Sequence, residues 1–542
     1  MKRLASLLLA LVVLAPPAQA KERRPNFLVI VADDLGYSDI GAFGGEIATP
    51  NLDRLALAGI RLAGFHTAPT CSPTRSMLLS GTDNHIAGLG TMAEMIRPNQ
   101  KGKPGYEGYL RNDVATLAER LSGGGYRTLF SGKWHLGLTP EQDPHARGFG
   151  RSFALLQGGH NHFGTDVGTT ATYTEQGKAL TRLPSDFYSS DYFASRLIDF
   201  LGERPEQGKA RPFFAYLAFT APHWPLQAPP DDIARYRGRY DAGFEVLREQ
   251  RLDRQRKLGI LSADVIPHTP RNRDGSWDSL TADQQRTAAR NMEIYAAMVD
   301  RLDRNVGRVI EALRASGELD NTVIVFLADN GAEALDVETT GAEMLAARVK
   351  EADNGFANRG TASSYVTYGA GWAQAATAPS WLTKGYQSEG GTRAVAFISG
   401  KGIPRRDGAD TQFLSVADIA PTLLELAGLN ARTVAGVRGR AVRPITGRSW
   451  VGWLRSPATR VYGANDGFGS ELFGSRAYRQ GDWKLTDIGD GKWRLFDLAR
   501  DPGETRDRSF LELERREKLV EAWNRYARDV GIIAPDSIPY RP

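Results

Sequence analysis

The run Phe27–Ala32 (FLVIVA) is unbroken by any polar residue, with Pro25 before it and Asp33-Asp34 directly after it. A half-exposed strand alternates apolar and polar residues. A run without alternation belongs in a sheet covered on both faces, most often a parallel one. Similar runs return at 213–219 and 322–328 and a shorter one at 394–399, and 126–131 reads as a further strand. Helical patterns lie between them. Leu52, Leu55 and Ala56 share a face after Thr49-Pro50, where Thr is placed to cap, Pro to open the helix and Gly59 to stop it. Val114, Leu117, Ala118 and Leu121 predict a second helix, ended by Gly123-Gly124-Gly125. Ile294, Met298, Leu302, Val306, Val309 and Leu313 predict a long one over 291–316, closed by Gly317. This alternation predicts an α/β fold built on a doubly wound sheet. Ligands of such sheets bind beyond the carboxyl ends of the strands. Asp33, Asp34, Lys133, His135, His223, Asp329 and Asn330 all stand at or just after those ends, so one rim is expected to gather them.

The stretch 225–290, rich in Arg, Asp and Gln, reads as a surface insertion. Beyond about residue 430 the pattern changes. Trp483–Leu485 and Trp493–Leu498 predict short antiparallel strands joined near Gly489-Asp490-Gly491, and a last helix is expected over roughly 510–529. At the other end, Lys2 and Arg3 precede the apolar run Leu4–Ala15 and the small-residue site Ala18-Gln19-Ala20. This is the form of a secretory signal peptide, and the run is too short for the ~20 residues that a membrane span needs. The expected division is a signal peptide at 1–20, an α/β catalytic domain over 21–430 and a smaller α+β domain over 431–542. An exported protein, periplasmic or secreted, is expected. It passes through the export machinery and keeps no stable membrane anchor.

Composition narrows the function classes. A 41% hydrophobic and 24% charged chain is not globally disordered, and a mean hydropathy of −0.37 excludes a polytopic membrane protein. The net charge of +5 falls to about +3 once Lys2 and Arg3 are set aside. That excess is too small and scattered for a nucleic-acid partner, despite a pI near 9.1. The chain has one cysteine, Cys71, which excludes an intrachain disulfide and any zinc site built on several thiolates. In an oxidising compartment that thiol must be free, buried or chemically altered.

Asp33, Asp34, Asp329 and Asn330 offer only oxygen donors, which select a hard divalent cation, Ca²⁺ or Mg²⁺, over zinc or copper. Either piece alone reads more readily as a cap or a turn than as a metal ligand; their joint placement at strand ends favours the metal. Cys71 with Arg75 is open between an inert buried thiol and an activated one. Lys133 and His135 alternate along an extended segment and so share a side. His223, in a rigid Pro222-His223-Trp224-Pro225 loop, is open between a general acid and a structural histidine. Lys384, in the segment 381–393, is open between a solvated lysine and an anion ligand. A metal, fixed cations at Arg75, Lys133 and Lys384, and a histidine together suit an anionic tetrahedral ester. Of the other histidines, His85 is expected to be structural and His160 and His162 to line the substrate mouth; His66, His145 and His268 carry no assigned role.

Residues 69–81 (PTCSPTRSMLLSG) resemble the signature of the formylglycine-dependent, type I sulfatases, in which Cys-x-Pro-x-Arg directs oxidation of the cysteine to formylglycine. Residues 125–135 (GYRTLFSGKWH) are similar to the second signature of that family. Asp33-Asp34 and Asp329-Asn330-Gly331 match its calcium ligands, and 145–149 (HARGF) resembles its arylsulfatases. The resemblance runs from about residue 25 to the C-terminus. It implies a mixed sheet of the alkaline-phosphatase-like type and hydrolysis of aryl sulfate esters. By the same resemblance, Cys71 becomes formylglycine through a formylglycine-generating maturation enzyme. The hydrate of that aldehyde attacks sulfur to give a covalent sulfo-enzyme, and its second hydroxyl lets sulfate leave. Asp33, Asp34, Asp329 and Asn330 hold Ca²⁺, Mg²⁺ being the weaker candidate, and residue 71 touches it. Arg75 holds the formylglycine hydroxyl. Lys133, His223 and Lys384 bind sulfate oxygens, the latter two near the leaving oxygen, and His135 orients the hydrate. The expected partner is a small sulfate ester, and the default state is a monomer. Two other readings share parts of this pattern: a formylglycine-dependent phosphonate monoester or phosphodiester hydrolase, and a non-catalytic calcium-stabilised binding protein with Cys71 unmodified.

Overall fold

The computed structural model describes residues 23–538 apart from 204–210, 271–274, 340–342, 432–436 and 438. The expected signal peptide lies outside the described residues. The uninterrupted apolar runs do become covered strands: every residue of Asn26–Ala32, Phe213–Ala218 and Thr322–Ala328 is buried. They belong to a sheet whose spatial order is Ala409–Asp410, Ile60–Leu62, Ala396–Gly400, Thr322–Ala328, Asn26–Ala32, Phe213–Ala218, Arg127–Lys133, Arg151–Leu155, Tyr173–Glu175, Lys178–Ala179. From Thr322–Ala328 to Arg151–Leu155 all neighbours are parallel. Ala396–Gly400 pairs antiparallel with Thr322–Ala328, and Tyr173–Glu175 antiparallel with Arg151–Leu155, so the sheet is mixed. An antiparallel neighbour starts where its parallel partner ends. The segment leading into Ala396 therefore reaches the same rim as the carboxyl ends, and it carries Lys384.

Helices pack among themselves in two groups. One joins Pro50–Leu57, Ser189–Gly202 and Ala282–Ala315; the other joins Cys71–Ser80, Leu117–Gly123 and Ile419–Leu426. These are the two layers of a doubly wound sheet. The long helix begins at Ala282, earlier than its apolar stripe indicates, because Thr281 and Gln284 form a capping box. Pro50 does open its helix, but Thr49 does not cap it; its Oγ1 accepts the Gly41 N–H at 2.9 Å instead.

The stretch 225–290 lies largely at the surface, as its composition suggests, but it is also anchored in the interior. Phe244–Lys257 is a helix that buries Phe244, Leu247, Arg248 and Arg251. The Arg251 guanidinium is wholly inside, with Nε 2.8 Å from Glu46 Oε2 and Nη1 against Asp39. Charges buried as pairs carry no hydrophobic signal, so a reading by polarity puts them outside.

The C-terminal region forms a four-stranded antiparallel sheet, Gly467–Leu472, Ser475–Gln480, Trp483–Asp487 and Arg494–Asp497, in chain order. The helix Leu513–Val530 lays Leu519 against Leu485 and Leu495 of that sheet. The predicted turn is held by Asp487 Oδ1, which accepts the N–H groups of Gly489, Asp490 and Gly491. Leu472 and Phe473 pack on Met92, and His85 bridges Asp83 and Glu471 at 3.2 Å each.

That bridge has a pH signature. Burial alone would lower the His85 pKa, but the hydrogen bonds to Asp83 and Glu471 outweigh it and raise it to about 9. The folded value lies above the unfolded one near ~6.5. The bridge therefore stabilises fully below about pH 6.5 and is lost as pH rises through about 9. His85→Gln should cost on the order of 3 kcal/mol near pH 6, and the gap in Tm to wild type should close towards pH 10. A gap of constant size across that range would show an uncharged bridge.

Candidate active site

The rim brings the predicted residues together. Asp33 and Asp34 follow the strand Asn26–Ala32; Asp33 donates its N–H to Ala221 O at 3.1 Å, and Asp34 donates its own to Asp329 Oδ1 at 3.3 Å. Asp34 (φ 64°) and His135 (φ 56°) both take the left-handed conformation, which non-glycine residues adopt at a cost that recurs at functional sites. Cys71 is the first residue of the helix Cys71–Ser80, all of which is buried. Its Sγ lies 3.3 Å from Asp33 Oδ1 and 3.9 Å from Asp34 Oδ1. One helical turn on, Arg75 grips Asp329 Oδ2 through Nε at 2.9 Å and Nη2 at 2.8 Å, and donates Nη1 to Lys133 O at 2.9 Å.

Each of the three aspartates meets a cation, and Lys384 is shared with Glu333. Lys133 Nζ is 2.6 Å from Asp33 Oδ2, Lys384 Nζ 2.7 Å from Asp34 Oδ1, and Arg75 holds Asp329. His223 turns Nε2 towards Asp34 Oδ2 at 3.6 Å and Nδ1 towards the Trp224 carbonyl. Burial would raise the Asp34 pKa, but Lys384 and His223 overcome it and bring it to about 2. Asp329 moves the other way, raised by burial and by Asp33 beside it. Burial pushes the Cys71 thiol well above its ordinary value, and Asp329 and Asp33 push the same way. Desolvation likewise drives His223 well below the ordinary imidazole range.

These residues fit a hard divalent cation. Asp33, Asp34, Asp329 and Asn330 are all buried, and Asn330 Oδ1 has no hydrogen-bond partner among the described residues, while its Nδ2 donates to Asp34 Oδ1 at 2.6 Å. Donor atoms of Asp33, Asp34, Cys71 and His223 lie within 4.8 Å of one another. Arg75, Lys133 and Lys384 against Asp33, Asp34, Asp329 and the Glu333 beside Lys384 leave one negative charge, so a bound divalent ion would leave the site net positive, ready for an anionic ester.

Two site residues escaped the sequence. Glu333 lies 3.2 Å from Lys384 Nζ, and Glu94 lies 3.1 Å from His135 Nε2. Glu333 had a weak signal, standing just past Asp329-Asn330-Gly331; Glu94 had none. His160 and His162 do not line a mouth. Both are buried, and they pack ring to ring. His160 bonds Thr220 Oγ1 and the Tyr173 hydroxyl; His162 bonds Ser189 Oγ and the His223 carbonyl. They support the His223 loop from behind.

Residues 25–429 match the sulfatase family model. The chain is 48% identical over 538 residues to an uncharacterized sulfatase of Schizosaccharomyces pombe, covering 96% of each. It is 42% identical over 419 residues to an arylsulfatase of Klebsiella aerogenes, covering 76% of this chain and 88% of that one. Among solved structures it resembles Ps i-CgsB in complex with k-i-k-neocarrahexaose, with a TM-score of 0.67 at 23% identity over 96% of this chain and 95% of that one, a likeness that speaks to the fold. The chain belongs to the sulfatase family, with the alkaline-phosphatase-like fold and a smaller C-terminal sheet domain. It is a sulfuric ester hydrolase.

Proposed function

We propose that this sulfatase is a calcium-dependent arylsulfatase that cleaves aryl sulfate esters to a phenol and inorganic sulfate, with Cys71 oxidised to formylglycine by a maturation enzyme. The state of Cys71 carries the reading. It sits at the centre of the charged cluster, yet burial and the neighbouring carboxylates keep its thiol protonated, so an unmodified Cys71 is a poor nucleophile. Formylglycine would supply a hydrate with one hydroxyl to attack and a second to expel sulfate, and Asp33, Asp34, Asp329 and Asn330 would hold a Ca²⁺ that supplies positive charge to a sulfate oxygen.

The chain's own residues do the rest. Arg75, Lys133 and Lys384 present fixed positive charge to an ester anion. His223 gives its Nδ1–H to the Trp224 carbonyl, so Nε2 protonates the leaving oxygen only when the ring is an imidazolium, a form that burial opposes and Asp34 beside it favours. A phenolate leaves more easily than an alkoxide, so aryl esters lean less on that proton. Half-buried Trp224 stacks beside His223, 4.6 Å between ring centroids, and packs with Leu335, Val337 and Tyr365. This apolar wall beside the acid suits a planar aglycone. Trp224→Ala should raise KM for a nitrophenyl sulfate about 10-fold and that for a short alkyl sulfate far less. Equal KM changes for the two esters would remove the wall from recognition.

The test is turnover of a nitrophenyl sulfate beside a matched phosphonate monoester, using protein co-expressed with a formylglycine-generating enzyme, with and without a calcium chelator. The mass of the Cys71 peptide is read in parallel. A chelator-sensitive sulfate preference upholds the reading. A phosphonate preference moves it to the phosphonate monoester or phosphodiester hydrolases. An unmodified Cys71 with calcium bound and no turnover leaves a binding protein. Export rests on the composition of residues 1–20, and fractionation of expressing cells checks it.

A further inference from the structure

His135 is held by contacts that its place in the sequence does not explain. Its N–H donates to Leu156 O at 3.2 Å, and its ring lies so close over Gly158 that a Cβ there would come within 2.4 Å of Cε1. Nε2 faces Glu94, 3.1 Å from Oε1 and 3.4 Å from Oε2, while Nδ1 is buried and without a partner among the described residues. Glu94 is carried on the short turn Ala93–Met95. The Met residues on either side of it pack on Leu472 and Phe473, so the C-terminal sheet sets where that turn sits.

We infer that Glu94 is a positioning residue for His135: by accepting Nε2–H it fixes the tautomer and the plane of the ring, and it leaves Nδ1 as the nitrogen free to exchange a proton with the reacting groups. This rests on the reading of His135 as part of the sulfatase site. The proton on Nε2 stays there throughout. Nδ1 takes and returns the second proton, and the carboxylate stabilises the charged ring in between. Partial desolvation opposes charge on this half-exposed side chain, but His135 and the hydrogen bond outweigh it and bring the Glu94 pKa to about 2, so it remains a carboxylate.

The experiment compares wild type, Glu94→Gln and Glu94→Ala as full-length, matured, calcium-loaded protein on a nitrophenyl sulfate. The Glu94 side chain is 39% exposed, so neither change should disturb the fold, and Tm monitors this. Glu94→Ala should lower kcat about 10- to 100-fold with KM within about twofold. Glu94→Gln, whose amide oxygen still accepts Nε2–H, should recover part of that loss. Nitrogen-15 NMR of histidine-labelled protein, with His135 assigned by His135→Gln, reads the tautomer without any turnover. Protonation at Nε2 in wild type, lost as a fixed state in Glu94→Ala, is the expected result. Wild-type kcat in Glu94→Ala, a loss confined to KM, or protonation at Nδ1 in wild type overturns the inference. Failure of the arylsulfatase reading shows separately, as an inactive wild type whose His135 tautomer is still fixed.

Discussion

Cys71→Ala should lower kcat for a nitrophenyl sulfate by on the order of 10⁵-fold or more, while the thermal transition stays near that of wild type. The two halves of this expectation have different causes. The side chain adds little to packing: it is one sulfur at the start of a helix whose buried residues, Leu78 and Leu79 among them, remain in place. Its loss costs about 1 kcal/mol as a small cavity. The chemistry, however, finds no second nucleophile among the described rim residues named above. Asp33, Asp34 and Asp329 are engaged by Lys133, Lys384 and Arg75, and His223, which faces Asp34, is read as the acid. Cys71→Ser separates the proposed chemistry from simple nucleophilicity. A serine hydroxyl 3.3 Å from Asp33, at the sulfur's position, has an acceptor for its proton and is set to attack once. It has no second hydroxyl to expel sulfate, so turnover should stop after at most one equivalent. Stopped assays, intact mass and calorimetry on the two variants measure these effects. Full activity in Cys71→Ala would sink the nucleophile assignment.

The rim was readable because its carriers follow segments that read as strands, apolar runs before Asp33, His223 and Asp329 and a more mixed one before Lys133. Buried parallel strands write that pattern, and the placement of ligands at their carboxyl ends is a property of the sheet rather than of any motif. Asp33, Lys133, His223 and Asp329 were located in this way before the resemblance to sulfatases assigned them roles. Lys384 could not be located so, because it enters the rim through an antiparallel neighbour. What stayed hidden shares one physical cause. Arg251 with Asp39 and Glu46, and His160 with Tyr173 and Thr220, are polar groups inside the protein satisfied by other polar groups. Their residue types read as surface, and their partners are far apart in the chain. Glu94 is the extreme case, a lone acid in an irregular loop whose meaning appears only once the Leu472–Phe473 corner fixes its turn. The strand Arg151–Leu155 escaped for a simpler reason: it is short, and its charged first residue is exposed.

Removing the divalent cation should abolish activity and spare the fold, whereas Asp329→Ala should abolish activity and weaken the fold. The difference follows from the pairing. Asp33, Asp34 and Asp329 each have a cation in contact, at 2.6, 2.7 and 2.8 Å, so chelation leaves no carboxylate without a counter-charge. What it removes is the net positive charge that an anionic ester needs. Tm in chelator should therefore fall only by the linkage contribution, about 2.7 kcal/mol if calcium had been present at ~100 times its Kd. Asp329→Ala strips the buried Arg75 guanidinium of its main partner, leaving Asp33 at 3.7 Å as the nearest carboxylate. An uncompensated buried charge costs about 3–5 kcal/mol. The same substitution takes away a proposed metal ligand, so calcium content should fall with activity. Urea unfolding, with metal analysis of dialysed protein, reads both effects in one preparation. Calcium retained at the wild-type level in Asp329→Ala would take Asp329 out of the ligand set and leave it only the task of holding Arg75.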